Sequence, residues 1–275
     1  MEVLHPRCAG LDVHKDSVVV CVRIASGNAV RHEVRTFGTA TTPLEGLAAW
    51  LRAEGCTHAA MEATGVYWKP VWHALEDALE LVLANAAHIK NVPGRKTDVN
   101  DATWIADLLA HGLIRGSFVP EASIQELRAL TRTRKQFVRE KVSHVQRLQK
   151  TLEDANLKIA SVATDIMGVS GRAIVEALIA GETNPDKLAD LTRGRLKASR
   201  ATLVESLRGR VTANHRFLLK LHFEQVKVIE QAIASVDKEV DALIEPFRAA
   251  AEHLTTIPGV SDVVAEVIVS EIGST

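Results

Sequence analysis

Three short runs rich in valine and isoleucine, separated by tight turns, place the strongest constraint on the fold of this 275-residue chain. The runs are Cys8–Val13, Ser17–Ile24 and Arg31–Phe37, and the segments HKDS and SGNA divide them. Runs of this composition bounded by turn residues are typical of β-strands. Because connections this short permit only hairpins, the three predicted strands should be antiparallel.

Helices and strands alternate after these runs. The pattern predicts, in order, helix Pro43–Glu54, strand His58–Ala63, helix Trp68–Leu79, strand Leu81–Ala84 and helix Val99–His111. Three antiparallel strands followed by alternating helix and strand is the order of an RNase H-like domain. We therefore predict an α/β domain with a mixed sheet over residues 1–120.

The character of the chain becomes all-α from Glu121 onward. The stretch to about Val162 contains no glycine or proline and predicts one long helix with an apolar seam, and Asn214–Ala251 predicts a second. Two such helices are most simply an antiparallel pair or a coiled-coil arm, which we assign to residues 121–252. The final segment LTTIPGVSDVVAEVIVSEIG predicts a tight turn and a helix capped by Ser261, the beginning of a further helical domain over residues 253–275.

Charge is unevenly distributed although the net charge is only −1. Eight Lys or Arg residues and a single acid lie between Arg128 and Lys150, whereas seven acids and three basic residues lie between Glu224 and Glu252. The three cysteines have no C-x-x-C spacing, which argues against a disulfide framework or a zinc site and fits a reducing cytoplasm. No apolar run approaches the ~20 residues of a membrane span, and no secretory signal is evident. We expect a cytoplasmic protein without a membrane partner.

Four acids form the candidate metal site. Asp12 lies at the end of the first predicted strand and Glu62 at the end of the fourth, and these two strands are neighbours in an RNase H-like sheet. The segment KTDVNDA places Asp98 and Asp101 three residues apart, on one helix face. Converging carboxylates would repel one another without a cation, and hard oxygen ligands suit Mg²⁺ or Mn²⁺. Two such ions could activate a nucleophile and stabilise the leaving oxygen of a phosphodiester. Taken singly, each acid also has a structural interpretation as a turn residue, helix cap or loop charge.

Basic residues on the first long helix are candidate nucleic-acid contacts, because a surface that neutralises phosphates gains affinity by releasing counterions. The alternative is a solvated helix face, and the choice between RNA and DNA stays open. The candidates are Arg128, Arg132, Arg134, Lys135, Arg139, Lys141 and Arg147.

The segments GLDVHK, MEATGVYW, KTDVNDA and LTTIPGVSDVVAEVIVSEIG resemble, in this order, the DEDD transposases of insertion-sequence family one hundred and ten. The resemblance implies a RuvC-like RNase H-fold domain whose Asp12, Glu62, Asp98 and Asp101 bind Mg²⁺ and act in catalysis, then a helical arm and a transposase domain with a nucleophilic serine. It also implies recombination of donor and target DNA directed by a structured bridge RNA, in a dimer or tetramer. Because that serine lies downstream of the PGV segment in the family, we expect the chain to be truncated at its C-terminus, with its activity uncertain.

Two other functions fit the same residues. A branched-DNA endonuclease of the RuvC type would need the carboxylates but no downstream serine. A non-catalytic remnant would bind nucleic acid without cleaving it.

Overall fold

The computed structural model describes residues 2–27, 29–63, 65–91, 100–159, 165–193 and 199–273. The chain divides into two compact units, Met1–Val119 and Pro120–Thr275. None of the helices in these described residues is long and apolar enough to cross a membrane.

The first unit contains one five-stranded mixed sheet. Its elements are β1 (Arg7–Val13), β2 (Ser17–Ser26), β3 (Ala29–Gly38), α1 (Thr41–Ala53), β4 (His58–Glu62), α2 (Trp68–Leu75), β5 (Glu80–Ala84), α3 (Ala86–Asn91) and α4 (Asp101–Ala110). The strand order is β3-β2-β1-β4-β5. The first three strands are antiparallel, and β4 and β5 run parallel to β1. The predicted RNase H-like sheet and its hairpins are confirmed.

Helices cover both faces of this sheet. Leu11 and Met61 face α1 and α2 in the larger core, together with Leu47, Leu51 and Leu75. Because side chains alternate along a strand, the intervening residues of β1 and β4 face the opposite side. There Cys8 and Ala60 pack with Ile105, Leu108 and Leu109 of α4. The sheet is therefore the middle layer of three, and α4 covers the face on which the candidate acids lie.

The second unit is helical throughout its described residues. Its elements are α5 (Ala122–Asp154), α6 (Val169–Ala180), α7 (Pro185–Asp190), α8 (Arg200–Ser206), α9 (Ala213–Leu243), a 3₁₀ turn (Glu245–Phe247), α10 (Arg248–Thr255) and α11 (Asp262–Ile272). The long helices α5 and α9 pack antiparallel, since Arg134 pairs with Asp237 near one end and Asp154 with His215 near the other. The predicted antiparallel pair is confirmed.

Both long helices end earlier than predicted. The helix expected to reach about Val162, which lies outside the described residues, ends at Asp154. Asn156 adopts a left-handed φ of 58°, and the Leu157 amide donates to the Leu152 carbonyl at 2.8 Å, which closes the helix end. The helix expected to reach Ala251 ends at Leu243, because Pro246 lacks an amide hydrogen and lies in the 3₁₀ turn that follows, Glu245–Phe247.

The C-terminal segment joins the core of the second unit. Ala265 and Val269 of α11 pack with Ile124 and Leu127 of α5 and with Val240 of α9. The predicted helix after Ser261 is confirmed, but the Ser261 side chain makes no capping hydrogen bond.

Candidate metal centre and basic helix surface

The strand register brings Asp12 and Glu62 to neighbouring positions. In the parallel pairing of β1 with β4, Leu11 lies opposite Met61, so the next residue on each strand is the candidate acid. Neighbouring strands are ~4.8 Å apart, and the pleat turns both acids away from the core that holds Leu11 and Met61. The two carboxylates therefore stand at the carboxyl ends of adjacent strands, on the face covered by α4.

The first turn of α4 lies over the same end of the sheet. A Cβ on Gly10 would lie 2.2 Å from the Ala102 carbonyl oxygen, so only glycine allows this close approach of α4 to β1. Val19, the register partner of Asp12 on β2, packs against Ala102 and Ala106. Asp101 is the first residue of α4, one position before that contact. The packing therefore places the first turn of α4 beside Gly10, two residues before Asp12 on β1.

Local hydrogen bonds fix the start of α4 and one of the strand-end acids. Asn100 caps the helix, because its side-chain oxygen accepts from the Ala102 amide at 2.8 Å. The Asp12 carboxylate lies 3.2 Å from Nε2 of His14, whose side chain is 58% exposed. The Asp12 side chain is 23% exposed, so it is reachable from solvent.

The fourth predicted ligand, Asp98, lies outside the described residues. Among the residues that are described, no three His, Cys, Asp or Glu side chains are close enough together to hold a metal ion. The donor chemistry nevertheless fits a hard divalent cation, since the acids at the strand ends and at the start of α4 supply carboxylate oxygens. Burial raises the pKa of the Cys8 thiol, which lies under α4 near the start of β1, to about 12. The four-acid set remains a prediction.

Four of the seven predicted nucleic-acid contacts have partners inside the second unit. Arg128 donates to the carbonyls of Ser270 and Glu271, both at 2.9 Å. Arg132 makes two hydrogen bonds of 2.8 Å to the Glu271 carboxylate. Because that bidentate contact favours the charged forms, it raises the pKa of Arg132 and lowers the pKa of Glu271.

The other two of the four paired cations, Arg134 and Lys141, contact acids of α9. Arg134 contacts Asp237 at 2.5 Å, and Lys141 contacts Glu230 at 2.8 Å. In contrast, Lys135, Arg139 and Arg147 are exposed on α5. Four of these cations therefore bind groups on α9 or α11, although the Arg132 side chain is still 64% exposed, and the other three face solvent. A nucleic-acid role for any of the seven remains a prediction.

Comparison with known proteins identifies the family. The family model of the DEDD transposases of insertion-sequence family one hundred and ten, described as a transposase, matches residues 9–157. That range is more than half of the 275 residues and includes all four acids and all seven basic residues. The chain belongs to this family. This DEDD transposase is accordingly a DNA recombining enzyme that binds DNA.

A solved structure of RuvC from Thermus thermophilus is 12% identical, covers 40% of this chain and 99% of its own, and superposes with a TM-score of 0.31. No curated protein matches the sequence of the transposase significantly.

Sequence reasoning did not single out Gly10, Arg23 or Asp107, although all three take part in the contact between the sheet and α4. Arg23 is 4% exposed and bonds Asp107. One signal was available, namely a lone arginine within the otherwise apolar run SVVVCVRIAS. The partner on α4 carried no comparable signal, because acids are common on amphipathic helices.

Proposed function

We propose that this transposase is a metal-dependent DNA recombinase in which Asp12, Glu62, Asp98 and Asp101 hold Mg²⁺ or Mn²⁺. The observation that carries the proposal is the strand register, which makes Asp12 and Glu62 neighbours at the carboxyl ends of β1 and β4. The position of Asp101 at the start of α4, one residue before the Ala102 contact with Gly10 of β1, supports a shared site. A bound divalent ion would activate a nucleophile and offset charge on the leaving oxygen of a phosphodiester.

The residues of the chain have separate tasks in this proposal. Asp12 and Glu62 provide fixed oxygen donors because both end β-strands of the central sheet. Like charges at neighbouring strand ends repel each other, so a cation bound between these carboxylates would stabilise the site. His14 contacts Asp12 and orients its carboxylate.

The exposed cations of α5 provide the proposed nucleic-acid surface. Lys135, Arg139 and Arg147 are solvent-facing, whereas the other predicted contacts have protein partners. Guidance by a structured bridge RNA and assembly into a dimer or tetramer belong to the same proposal, and they rest on membership of the family.

Metal titration tests the carboxylate assignment. We expect Asp12→Asn, Glu62→Gln and Asp101→Asn each to weaken Mn²⁺ binding at least ten-fold in isothermal calorimetry, because each removes a charged oxygen donor. Asp77→Asn, which changes an exposed acid elsewhere in the first unit, is the matched control and should leave affinity unchanged. Melting in EDTA should show Asp12→Asn as stable as the wild type or more so, since one of two repelling charges is gone. Equal Mn²⁺ affinity in all variants would contradict the assignment.

Salt-dependent binding tests the basic surface. Each lost phosphate contact should lower the slope of log affinity against log salt by ~0.9 on duplex DNA or ~0.7 on single strands. Arg139→Gln should show such a decrease, whereas Lys238→Gln, on an exposed position of α9, should not. Equal slopes for the two variants would count against the α5 surface.

An activity assay with donor DNA, target DNA, Mg²⁺ and the element's RNA separates the possible functions. Recombined product that requires the RNA would support the guided recombinase. Cleavage of branched DNA without joining would favour the RuvC-type endonuclease, and binding without cleavage would favour a non-catalytic protein.

A further inference from the structure

A buried arginine ties the central sheet to α4. Arg23 lies on β2 opposite Cys8 of β1 and is only 4% exposed. Its Nε donates to Oδ1 of Asp107 at 2.8 Å. The rest of β2 is strongly apolar, so a guanidinium at this position needs a specific reason.

Asp107 is also held from a second strand. Nε2 of His32 on β3 lies 3.1 Å from the same Oδ1 atom that accepts from Arg23. His32 is the register partner of Arg23, so two adjacent strands reach one carboxylate on α4. These two contacts restrict both the sliding of α4 along its axis and its rotation about that axis, because hydrogen bonds depend on direction as well as distance.

Stability alone does not explain such a pair. Removing a guanidinium from water costs several kcal/mol, and replacing a buried ion pair with apolar residues of similar size is often neutral or stabilising. A pair of this kind is better explained by what it positions. Asp107 lies six residues beyond Asp101, about 9 Å along the same rigid helix.

We propose that Arg23 and Asp107 are positioning residues that hold α4 so that Asp101 faces the strand-end carboxylates Asp12 and Glu62. This inference rests on the proposed metal centre. The contact at Gly10 sets how closely α4 approaches the sheet. The Arg23–Asp107 pair adds the direction that a van der Waals contact lacks, and it prevents α4 from sliding or turning about its own axis.

The decisive variant replaces both members of the pair. Arg23→Met with Asp107→Leu keeps the approximate volume and removes both charges of the pair, and the partly exposed His32 that loses Asp107 can be hydrated, so the melting temperature in EDTA should stay near that of the wild type. Mn²⁺ affinity should nevertheless fall ~10- to 100-fold, the usual effect of losing residues that orient metal ligands. The matched control, Arg31→Met with Glu33→Leu, removes a more exposed ion pair of 2.9 Å from β3 and should bind Mn²⁺ like the wild type.

Conservative variants and hydrogen exchange provide second readouts. Arg23→Lys retains a cation that can reach Asp107 and should recover most of the Mn²⁺ affinity lost in the double variant. Amide exchange at Ala102 and Trp104, which donate to Asn100 at the start of α4, should be faster in the metal-free double variant than in the wild type. If the double variant does not fold, the two single variants Arg23→Lys and Asp107→Asn test the positioning role instead. Asp107→Asn should then bind Mn²⁺ more weakly than Arg23→Lys.

The outcomes separate this inference from the metal centre itself. A folded double variant with wild-type Mn²⁺ affinity and unchanged exchange would overturn the positioning role while leaving the metal centre intact. A wild-type protein that binds no Mn²⁺ would overturn both. An equal loss of Mn²⁺ affinity in Arg23→Lys and in the double variant would also count against positioning, because a cation able to reach Asp107 would then restore nothing.

Discussion

Replacing Gly10 with alanine tests the contact on which the candidate metal centre depends. The added Cβ would lie 2.2 Å from the Ala102 carbonyl oxygen and 2.3 Å from the Ala106 amide nitrogen. Both atoms belong to the backbone of α4, so no side-chain rotation can relieve the clash. Ordinary carbon–oxygen contacts are ~3.5 Å, and α4 must therefore move away from β1 by about 1 Å.

The expected cost follows from this displacement. Overpacking a well-packed core typically costs ~1–3 kcal/mol. A gap of 0.5–1 Å also removes about a quarter to a half of the dispersion energy of each affected contact, here those of Ile105 and Leu109 with the sheet. Alanine restricts the unfolded chain more than glycine does, which offsets ~0.5–1 kcal/mol. We expect a net loss of about 2 kcal/mol or more in the free energy of unfolding.

Urea denaturation of the Gly10→Ala protein measures this loss. Gly46→Ala is the matched control, because Gly46 lies within α1 and an added Cβ there meets nothing within 4 Å. That variant should gain ~0.5–1 kcal/mol from helix propensity. If Gly10→Ala is as stable as Gly46→Ala, α4 does not pack on β1 as described, and the placement of Asp101 fails with it. A folded Gly10→Ala protein should also bind Mn²⁺ more weakly.

Two further predictions concern the helical unit. Burial, and to a smaller extent the nearby His144, lowers the pKa of His222 below 6.5. Below pH 6.5 the unfolded chain therefore binds more protons than the folded chain. The free energy of unfolding should decrease as the pH falls through 6.5. His222→Gln should flatten this dependence in urea unfolding, whereas His253→Gln should leave it unchanged. Arg128→Met should cost ~1–3 kcal/mol because it leaves the last carbonyls of α11 without their donor, while Arg139→Met at an exposed site should change stability by under ~0.5 kcal/mol. Equal melting temperatures for these two variants would contradict the capping role.

The sheet could be predicted because its signals are local. Short connections forced hairpins between the first three strands, and the strand order of an RNase H-like domain then placed Asp12 beside Glu62. The observed register agrees with that expectation. Local signals for the ends of the long helices were also present. Asn156 readily adopts a left-handed conformation and Pro246 cannot continue a helix, but the apolar pattern of each helix extends past these residues and predicts a longer one.

The partners of the basic residues could not be predicted in the same way. Arg132 and Glu271 are 139 positions apart, and Arg134 and Asp237 are 103 apart. Pairing over such separations depends on how α5, α9 and α11 pack, which a single sequence does not specify. Arg23 and Asp107 present the same difficulty within the first unit, with 84 positions between them.

Charge segregation along the chain acquires a structural meaning from the antiparallel helix pair. The basic segment Arg128–Lys150 lies on α5, and most of the acidic segment Glu224–Glu252 lies on α9, which runs beside it in the opposite direction. Opposite charges that are distant in sequence are therefore adjacent in space, and part of the positive charge of α5 is neutralised within the unit. Seven duplex contacts at ~0.9 each would give a salt slope of ~6.3. Because four of the seven cations already bind groups on α9 or α11, the slope attributable to α5 should be nearer the ~2.7 expected for Lys135, Arg139 and Arg147 alone. A measured slope near the larger value would mean that nucleic acid displaces the acids of α9 and α11 from their arginines.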